Sequence, residues 1–360
     1  MLRFPKVSRS LPSGFETMSY ERWEALTIVK QIRWGILGTA SIALRQAIPA
    51  INAAESGAVT AIASRNIERA TQVAEELGIP NAYGSYEALI DSEDVDAVYV
   101  PLPNDLHLPW IKRAARAGKH VLSEKPLGLN ADEVRQVIAI AEETGRFIME
   151  GVASHFHPIH HRAAERIREG AVGDPRFVRV SLGWSFEGRR DDYRWQKRHG
   201  GGGLLDIGGY CVYAARLVIG AEPEYVVSRA NFDPESGVDT NVAIMLGFPG
   251  GVNALIDCGI LSASRNCYEI IGSAGKIVVD SAFGNRNQQR KISLFDVHGS
   301  LKDEELVVAQ QFELQFEAVS RHILEGKAPP LPLSESLANA QVVDACMESA
   351  QNGGTPVRLH

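Results

Sequence analysis

Short apolar strands alternate with amphipathic helices along the first half of the chain, from Gln31 to Gly151. The strands read IRWGILG, VTAIAS, DAVYVPLP, KHVLSEKP and RFIMEGV, and helical segments such as NIERATQVAEELG and ADEVRQVIAIAEETG carry one apolar stripe each. A helix between two strands returns the chain to the end from which it started, so the strands run parallel. This alternation predicts an α/β fold with a doubly wound parallel sheet.

The pattern changes after Gly151 to period-two strands joined by tight turns. RFVRVSLGWSF is strictly alternating, TNVAIMLGF and GVNALIDCGI flank a Pro-Gly-Gly turn, and CYEIIG and KIVVD flank Gly-Ser-Ala-Gly. Successive hairpins predict an α+β domain with a large, mostly antiparallel sheet. We therefore predict a dinucleotide-binding Rossmann domain over 31–150 and a substrate-binding and dimerisation domain over 151–360.

Residues 1–30 follow neither pattern and lack the apolar core of a secretory signal. We expect a flexible extension, or a start codon assigned too early with Met18 as the true start. The alternative is an arm that wraps a partner subunit.

The composition narrows the classes of partner. The net charge of −7 argues against nucleic acid and against an anionic membrane surface as the main partner, and no uninterrupted apolar run reaches membrane-spanning length. The four cysteines are scattered without CxxC spacing, which is typical of reduced thiols rather than of a disulfide framework or a zinc site. We therefore expect a cytoplasmic protein.

The turn after the first strand, GILGTASIA, carries small residues at the three positions of a G-x-G-x-x-G/A fingerprint. Small residues there let the backbone approach a pyrophosphate at a helix N-terminus. Alanine at the middle position departs from the usual glycine, and a tight turn in another doubly wound fold is the alternative. The predicted dinucleotide contacts in this turn are Gly38, Thr39, Ala40, Ser41, Ile42 and Ala43.

The end of the second strand indicates which dinucleotide binds. An NAD site places an acid there, whereas this strand ends in Ser64 and Arg65. A hydroxyl and a guanidinium suit a 2′-phosphate, so we expect NADP, with NAD possible and a solvated cap as the alternative role of Arg65.

Two further loops follow strands at the same carboxyl edge, where ligands of open α/β sheets bind. One is PLPNDLH and the other is SEKP. An unpaired ammonium at the end of a buried strand is costly, so Lys125 is predicted to be functional, the alternative being a surface ion pair with Glu124. The predicted cofactor contacts from these loops are Pro101, Leu102, Asn104, His107, Glu124 and Lys125.

Four consecutive glycines open the segment HGGGGLLDIGGYC. No strand leads into them, so we do not expect a second phosphate loop. The helical spacing that follows places Asp206 and Tyr210 on one face, one turn apart. Gly208 and Gly209 each cost a helix about 1 kcal/mol relative to alanine, which predicts a close neighbour such as the nicotinamide end of the cofactor. A plain structural helix is the alternative.

The stretch SHFHPIHH gathers four histidines but matches no closed zinc set, so no metal site is expected. His160 and His161 are interpreted as residues on a helix surface. Trp184, Arg194 and Trp195 stay open between ligand contact and core packing.

The fingerprint turn, AVYVPLPNDLH, AGKHVLSEKPL and GGGGLLDIGGY occur in this order in one known family. The chain resembles, from Gln31 to its C-terminus, the Gfo/Idh/MocA (glucose–fructose oxidoreductase / inositol dehydrogenase) oxidoreductases. It is most similar to the NADP-linked branch that holds D-xylose dehydrogenase and dimeric dihydrodiol dehydrogenase. That branch ends the last motif in tyrosine, as at Tyr210, whereas inositol dehydrogenases carry histidine there.

The resemblance implies a nicotinamide-dependent dehydrogenase of a sugar or polyol, such as an aldose 1-dehydrogenase, and a homodimer or dimer of dimers built on the C-terminal sheet. It places His157 in a substrate-pocket loop, so the predicted substrate contacts are Lys125, His157, Asp206 and Tyr210. We hypothesise that Tyr210 exchanges the substrate proton, that Lys125 lowers the pKa of Tyr210, and that Asp206 fixes Lys125.

Three alternatives remain at this point: a sugar-nucleotide 3-ketoreductase, an NAD-dependent glycosidase that recycles its cofactor, and a non-catalytic NADP-binding regulator. A regulator would need neither Lys125 nor Tyr210, which argues against it.

Overall fold

The computed structural model describes residues 30–284 and 289–359. The predicted extension over 1–30 lies outside the described residues apart from Lys30, and it stays a prediction.

Six parallel strands form the first sheet, in the order β3-β2-β1-β4-β5-β6. The strands are β1 Ile32–Leu37, β2 Gly57–Ala63, β3 Asn81–Tyr83, β4 Ala97–Val100, β5 His120–Glu124 and β6 Ile148–Gly151. The helices between them are α1 Ile48–Ala53, α2 Ile67–Leu77, α3 Tyr86–Asp91, α4 His107–Arg116 and α5 Ala131–Thr144. This strand order is that of the dinucleotide-binding doubly wound fold, so the predicted fold class is confirmed.

Nine strands form the second sheet, in the order β14-β13-β12-β11-β7-β10-β9-β8-β15. Its elements are α6 Pro158–Arg168, β7 Pro175–Ser185, α7 Gly209–Ile219, β8 Tyr225–Phe232, β9 Asp239–Gly247, β10 Asn253–Gly259, β11 Leu261–Gly272, β12 Gly275–Asp280, β13 Gln289–Asp296, β14 Leu301–Val308, α8 Gln311–Glu325, α9 Leu333–Gln351 and β15 Val357–Arg358. Every pairing is antiparallel except β7 with β10. The two predicted hairpins are β9–β10 and β11–β12.

The last two helices return to the first sheet. Phe316 of α8 packs edge-on against Trp34 and Tyr99, with ring centroids 5.2 and 5.4 Å apart. On the other face of the sheet, α9 packs against α5 through the partly buried Leu337 and Ala340. The polypeptide after β14 therefore covers both faces of the six-stranded parallel sheet. The division into two domains at residue 150 stays a prediction.

The stretch Lys197–Ile219 is long and apolar enough to cross a membrane by composition, but 72% of its most apolar window is buried inside the protein. Burial of that kind is what a core helix requires, and α7 packs between the second sheet, α6 and α9.

Candidate active site

Lys125 and Asp206 meet where the end of β5 faces the start of the glycine-rich helix. The Lys125 ammonium donates to the backbone carbonyl of Asp206 and lies 3.1 Å from Oδ1 of the same residue. The Lys125 side chain is 18% exposed and that of Asp206 only 3%. The Glu124 carboxylate instead accepts a hydrogen bond of 2.6 Å from the Tyr99 hydroxyl. The alternative of a Lys125–Glu124 surface pair is therefore not what the structure contains.

A second cation, Arg194, holds the other oxygen of the same carboxylate. Its Nε lies 2.8 Å from Oδ2 of Asp206, while its Nη1 lies 3.1 Å from Asp192. Burial alone would raise the pKa of Asp206, but Lys125 and Arg194 outweigh burial and hold the pKa below its ordinary value. Asp206 is thus kept ionised between two fixed donors, and Arg194, left open by the sequence, belongs to this cluster.

Tyr210 lies one helical turn after Asp206, with its ring centroid 5.0 Å from the Lys125 ammonium. Burial raises the pKa of Tyr210 well above its ordinary value, and the negative charges of Glu124 and Asp206 raise it further. The net direction is set by burial first and by the acidic neighbours next, and the hypothesis that Lys125 lowers this pKa stays a prediction. Tyr210 is therefore held as a neutral phenol, able to donate its proton.

The glycine run brings the chain to this position by packing against β9. Gly202 has a φ of +117°, and a Cβ built on it would lie 2.1 Å from Oδ1 of Asp239. The second oxygen of Asp239 accepts from the Leu204 amide at 2.6 Å, at the start of the π-helix Leu204–Gly208. The run allows a buried carboxylate to hold the beginning of the helix that carries Asp206, and the expectation that it is not a phosphate loop stays a prediction.

Gly208 and Gly209 differ in their surroundings. A Cβ on Gly208 would lie 2.8 Å from Leu204 and 3.0 Å from the Cys258 sulfur, so the protein itself fills this space. The nearest atom to a Cβ on Gly209 is the Asn339 side-chain nitrogen, at 3.7 Å. The close neighbour predicted for Gly208 is therefore strand β10 and its own helix, while the cofactor as the neighbour of Gly209 stays a prediction.

The fingerprint turn fits a dinucleotide. Gly38 has a φ of +102°, where side chains are strained, and a Cβ there would meet Leu102 and the Tyr86 hydroxyl at 3.3 Å. Ala40 is half-buried, Ser41 is exposed at the first helical position and Ala43 is buried against the sheet. The turn thus presents a small-residue surface at the carboxyl end of β1, with Thr39 and Ile42 half-buried beside it.

Ser64 and Arg65 follow β2 at the same edge. Arg65 is exposed and lies beside the Tyr86 hydroxyl, whose pKa is raised by burial and lowered in part by this guanidinium. Among the described residues, no carboxylate lies within ion-pair distance of Arg65. The hydroxyl of Ser64 accepts from the Asn66 amide at 3.3 Å. An exposed guanidinium without an acid is what a 2′-phosphate site needs.

The side chains of Asn104 and His107 are buried, and they hydrogen-bond to backbone carbonyls of neighbouring loops. The Asn104 amide donates to the Gly200 carbonyl at 2.9 Å. The two His107 ring nitrogens lie 2.7 Å from the Pro126 carbonyl and 2.8 Å from the Leu102 carbonyl. Burial lowers the pKa of His107 although both carbonyls favour its protonated form. The structure therefore places these two residues under the site, where they connect the loops that carry Pro101, Leu102 and Lys125.

The histidines of the segment SHFHPIHH differ from one another in burial, and one of them differs from its expected surface position. His157 is fully buried, and its Nδ1 accepts from the Ile159 amide at 3.2 Å at the start of α6. His160 is buried against Tyr268 and Arg290 because it faces the second sheet, so the expected surface position is wrong, whereas His161 is exposed. Trp195 is buried with Arg190 stacked on its ring at 3.8 Å, which is a packing role.

A pocket with an empty volume of about 540 Å³ reaches Lys125 and Tyr210 from the side of α5 and α9. Its walls include Leu129, Glu150 and Ser336. In the part of the chain that the structure describes, no group of three or more His, Cys, Asp or Glu side chains could hold a metal ion.

Comparison with known proteins gives two family matches. Residues 32–152 match the model of an oxidoreductase family with an NAD-binding Rossmann fold, and residues 160–278 match the GFO/IDH/MocA C-terminal domain.

Individual relatives cover nearly the whole described chain. D-xylose 1-dehydrogenase (NADP(+)) 2 of Haloferax volcanii is 37% identical over 324 residues, 89% of this chain and 98% of that protein. A 3-ketoreductase of Actinomadura kijaniata, solved in complex with NADP and TDP-benzene, superposes with a TM-score of 0.83 at 36% identity, covering 89% of this chain and 98% of its own. The aldose–aldose oxidoreductase of Caulobacter crescentus, complexed with glycerol, gives a TM-score of 0.83 at 31% identity, covering 92% and 100%.

Proposed function

The chain belongs to the Gfo/Idh/MocA family of oxidoreductases, as its motifs predicted, and we propose that it is an NADP-dependent dehydrogenase acting on a carbinol of a sugar or related polyol. NADP, when bound, supplies the acceptor or donor of the hydride. The relatives with this chemistry act on D-xylose and on aldoses by name, which makes an aldose oxidised at its anomeric carbon the favoured substrate.

One observation carries the proposal: the side chains of Lys125, Asp206 and Tyr210 converge at the carboxyl edge of the parallel sheet. This is the edge at which ligands of doubly wound sheets bind. Lys125 and Tyr210 are the groups with transferable protons, and Asp206 fixes the ammonium. We assign the contact with the reacting hydroxyl to these two donors.

The chain's own residues would act on the substrate oxygen. The Lys125 ammonium, anchored by Asp206, donates a hydrogen bond that stabilises negative charge on that oxygen as its proton leaves. In the direction of reduction the neutral Tyr210 phenol donates its proton to the carbonyl oxygen. In the direction of oxidation Tyr210 first gives up its phenolic proton, and the phenolate then receives the proton of the substrate hydroxyl. Because acidic neighbours raise the pKa of Tyr210, a phenolate forms only when a nearby proton acceptor or positive charge compensates.

The proposal is tested with purified protein and a panel of aldoses, inositols and diols, each assayed with NADP and with NAD. We expect turnover with an aldose or diol and NADP, and loss of turnover in Lys125→Met with NADPH binding retained, measured by cofactor fluorescence. Turnover retained in Lys125→Met would contradict the assignment of this lysine.

A sugar-nucleotide 3-ketoreductase is a second candidate, because the Actinomadura kijaniata relative is nearly as similar over the same span. This function would be favoured if the protein reduced a thymidine-diphosphate ketosugar with NADPH faster than it reduced any free ketosugar. Turnover of free aldoses alone would exclude it.

We further infer that two chains pair through the outer face of the nine-stranded sheet. Phe177 of β7 and Leu255 of β10 are 44% and 40% exposed on that face, in adjacent strands. Leu255→Arg should give a monomer by sedimentation velocity, whereas Leu77→Arg, on α2 of the first sheet, should not change the mass. A dimer unaffected by Leu255→Arg would contradict this interface.

We place the protein in the cytoplasm, since all four cysteines are unpaired thiols and three of them are buried. Cell fractionation of the tagged full chain tests this placement.

A further inference from the structure

The pocket beside Lys125 and Tyr210 has one wall, from α5 and α9, on a different face of the parallel sheet from the fingerprint turn, whereas its walls Val152 and Tyr213 pack on the fingerprint side. The fingerprint helix packs through Ala43 and Ala47 in the apolar cluster that also contains α8. The pocket wall residue Val134 of α5 packs in the cluster on the other face, together with Ala340 of α9. A ligand held by the fingerprint turn therefore approaches Lys125 from one side and the α5–α9 end of the pocket approaches it from the other.

Glu150 is the buried carboxylate of this pocket. It follows Ile148 by two residues in β6, so it points to the α5 and α9 face, and it is only 8% exposed. Its Oε1 accepts from the Leu127 amide at 3.1 Å, and the Ser336 hydroxyl lies beside it. Burial raises the pKa of Glu150, while the Ser336 hydroxyl and the charge of Lys125 partly oppose that rise.

The polar lining is suited to water. No donor among the described residues reaches the buried Oδ1 of Asn339, and the pocket that Asn339 lines has room for water. A buried acceptor without a protein donor is normally satisfied by water. The pocket continues from Tyr210 to Asp344, which is half-buried, and to Asn130, which is exposed. It therefore joins the two proton-transferring side chains to solvent.

Each oxidation of a carbinol breaks its C–H and O–H bonds, and the hydride takes both electrons of the C–H bond while the proton of the O–H bond remains. One proton per turnover must reach solvent, and in reduction one must return. Substrate and cofactor bound on the fingerprint side would cover Lys125 and Tyr210 there. The α5–α9 end of the pocket, which reaches the exposed Asn130, would then be the route to solvent.

We propose that Glu150 is the proton-relay group of this enzyme, passing the substrate proton between Tyr210 and solvent through water in the α5–α9 pocket. The inference rests on the proposed dehydrogenase function. The ionisable groups that face Glu150 are Glu124 and Lys125 from β5, Tyr210 and Tyr213 from α7, and Asp344 from α9. Lys125 and Tyr210 are the members of this set that also belong to the catalytic cluster, and Tyr210 is the one whose proton the relay would pass on.

The test separates a relay from a structural role by using Glu150→Gln. Glutamine keeps an oxygen that accepts from the Leu127 amide but cannot carry the proton as a carboxylic acid. We expect kcat to fall at least about tenfold, with KM and NADPH affinity within about twofold of the parent. The pH profile of kcat should lose one ionisation. Glu143 is a surface carboxylate on α5 that pairs with Arg116 of α4. Glu143→Gln is the matched control and should leave kcat, KM, NADPH affinity and the pH profile unchanged.

Rescue gives a second measurement. Glu150→Ala opens space beside the pocket, and added formate should restore its kcat in a saturable manner because a small acid can replace the missing carboxyl. Glu150→Gln with the parental kcat and pH profile overturns the relay, and so does an inactive Glu150→Ala that formate does not restore. If Glu150→Ala fails to fold, the Glu150→Gln result decides alone.

A measurement without cofactor distinguishes failure of the relay from failure of the proposed function. Infrared pH-difference spectra of the parent minus Glu150→Gln isolate the titration of the Glu150 carboxyl. Since the Lys125 charge lowers the pKa of Glu150, Lys125→Met should move this titration to higher pH. An unmoved titration shows that the two groups are not coupled and overturns the relay, whether or not any sugar is turned over. Inactivity of the parent on every substrate, with the coupling present, contradicts the proposed function instead.

Discussion

The Lys125 ammonium contacts Asp206 twice, through the backbone carbonyl and through Oδ1 at 3.1 Å. A single residue of the glycine-rich helix thereby fixes the position of the lysine that directly follows β5. Because the Asp206 side chain is only 3% exposed, water cannot substitute for it, and the pair is fixed before substrate arrives.

Replacing Asp206 with asparagine should lower kcat/KM by about 100-fold or more. Asparagine keeps the shape but removes the charge, which leaves Lys125 and Arg194 facing each other without a carboxylate between them. Steady-state kinetics and NADPH fluorescence titration should show lost turnover with retained cofactor binding. Asp192→Asn, which alters the other partner of Arg194 without touching Lys125, should have a smaller effect. Full activity in Asp206→Asn would show that Lys125 needs no anchor.

Arg194 should set the acid limit of activity. Its guanidinium helps to hold the pKa of Asp206 below the ordinary value, so Arg194→Met should raise that pKa and shift the acid limb of the kcat/KM profile to higher pH. Arg190→Met is the matched control, since Arg190 stacks on Trp195 and pairs with Asp233 without reaching Asp206. An acid limb at the same pH in Arg194→Met and the parent would contradict this assignment.

Local patterns predicted the framework well because each depends on neighbouring residues. The strand–helix alternation, the positive-φ turn at Gly38 and the two hairpins follow from period and turn chemistry that lie within a few residues. The contact between Lys125 and Asp206 could also be predicted. The ends of parallel strands lie at one edge of the sheet, and the family motif GGGGLLDIGGY places a helix opposite that edge.

What escaped prediction depends on contacts between distant segments. Arg194 lies in a loop without regular period, and nothing in RWQKRHG signals that its guanidinium reaches Asp206. The burial of His160 depends on which face of α6 meets the second sheet. Glu150 lies within the apolar strand β6, so the strand periodicity does not set it apart. Its pocket is formed in part by residues of α9, almost 200 residues later in the chain. A charged residue inside an otherwise apolar strand was the available signal.

Gly202 should tolerate no side chain. Its φ of +117° strains any L residue, and an added Cβ would lie 2.1 Å from Oδ1 of Asp239. We expect Gly202→Ala to lower the free energy of unfolding by about 2–3 kcal/mol, measured by chemical denaturation. Gly188→Ala is the control, since no atom lies within 4 Å of a Cβ there. Equal stability of the two variants would mean that the glycine run is not held against β9.

Arg65 should decide between the two nicotinamide dinucleotides. It is exposed beside the Tyr86 hydroxyl at the end of β2, where a 2′-phosphate needs a cation and a 2′-hydroxyl needs an acid. Arg65→Asp should raise the KM for NADP by at least about tenfold and lower the KM for NAD, with kcat at saturation little changed. Arg69→Asp, one turn into α2, is the control for a general change of surface charge. A parent enzyme faster with NAD than with NADP would overturn this role.

Asp239 should make the stability of the fold fall as pH rises through weakly acidic values. Burial raises the pKa of Asp239 from 3.8 to about 6, although the Leu204 amide partly opposes the shift. A carboxyl whose folded pKa is raised contributes stability below its unfolded pKa, and that contribution disappears as pH rises through the folded pKa. The parent should therefore lose about 3 kcal/mol of unfolding free energy relative to Asp239→Asn between pH 3.8 and pH 6, with no further relative change above that window.

Denaturant unfolding of both proteins across this pH range measures the difference, and Asp257→Asn on neighbouring β10 should not reproduce it. Parallel stability curves for the parent and Asp239→Asn would show that this carboxylate is ionised in the folded protein at no cost.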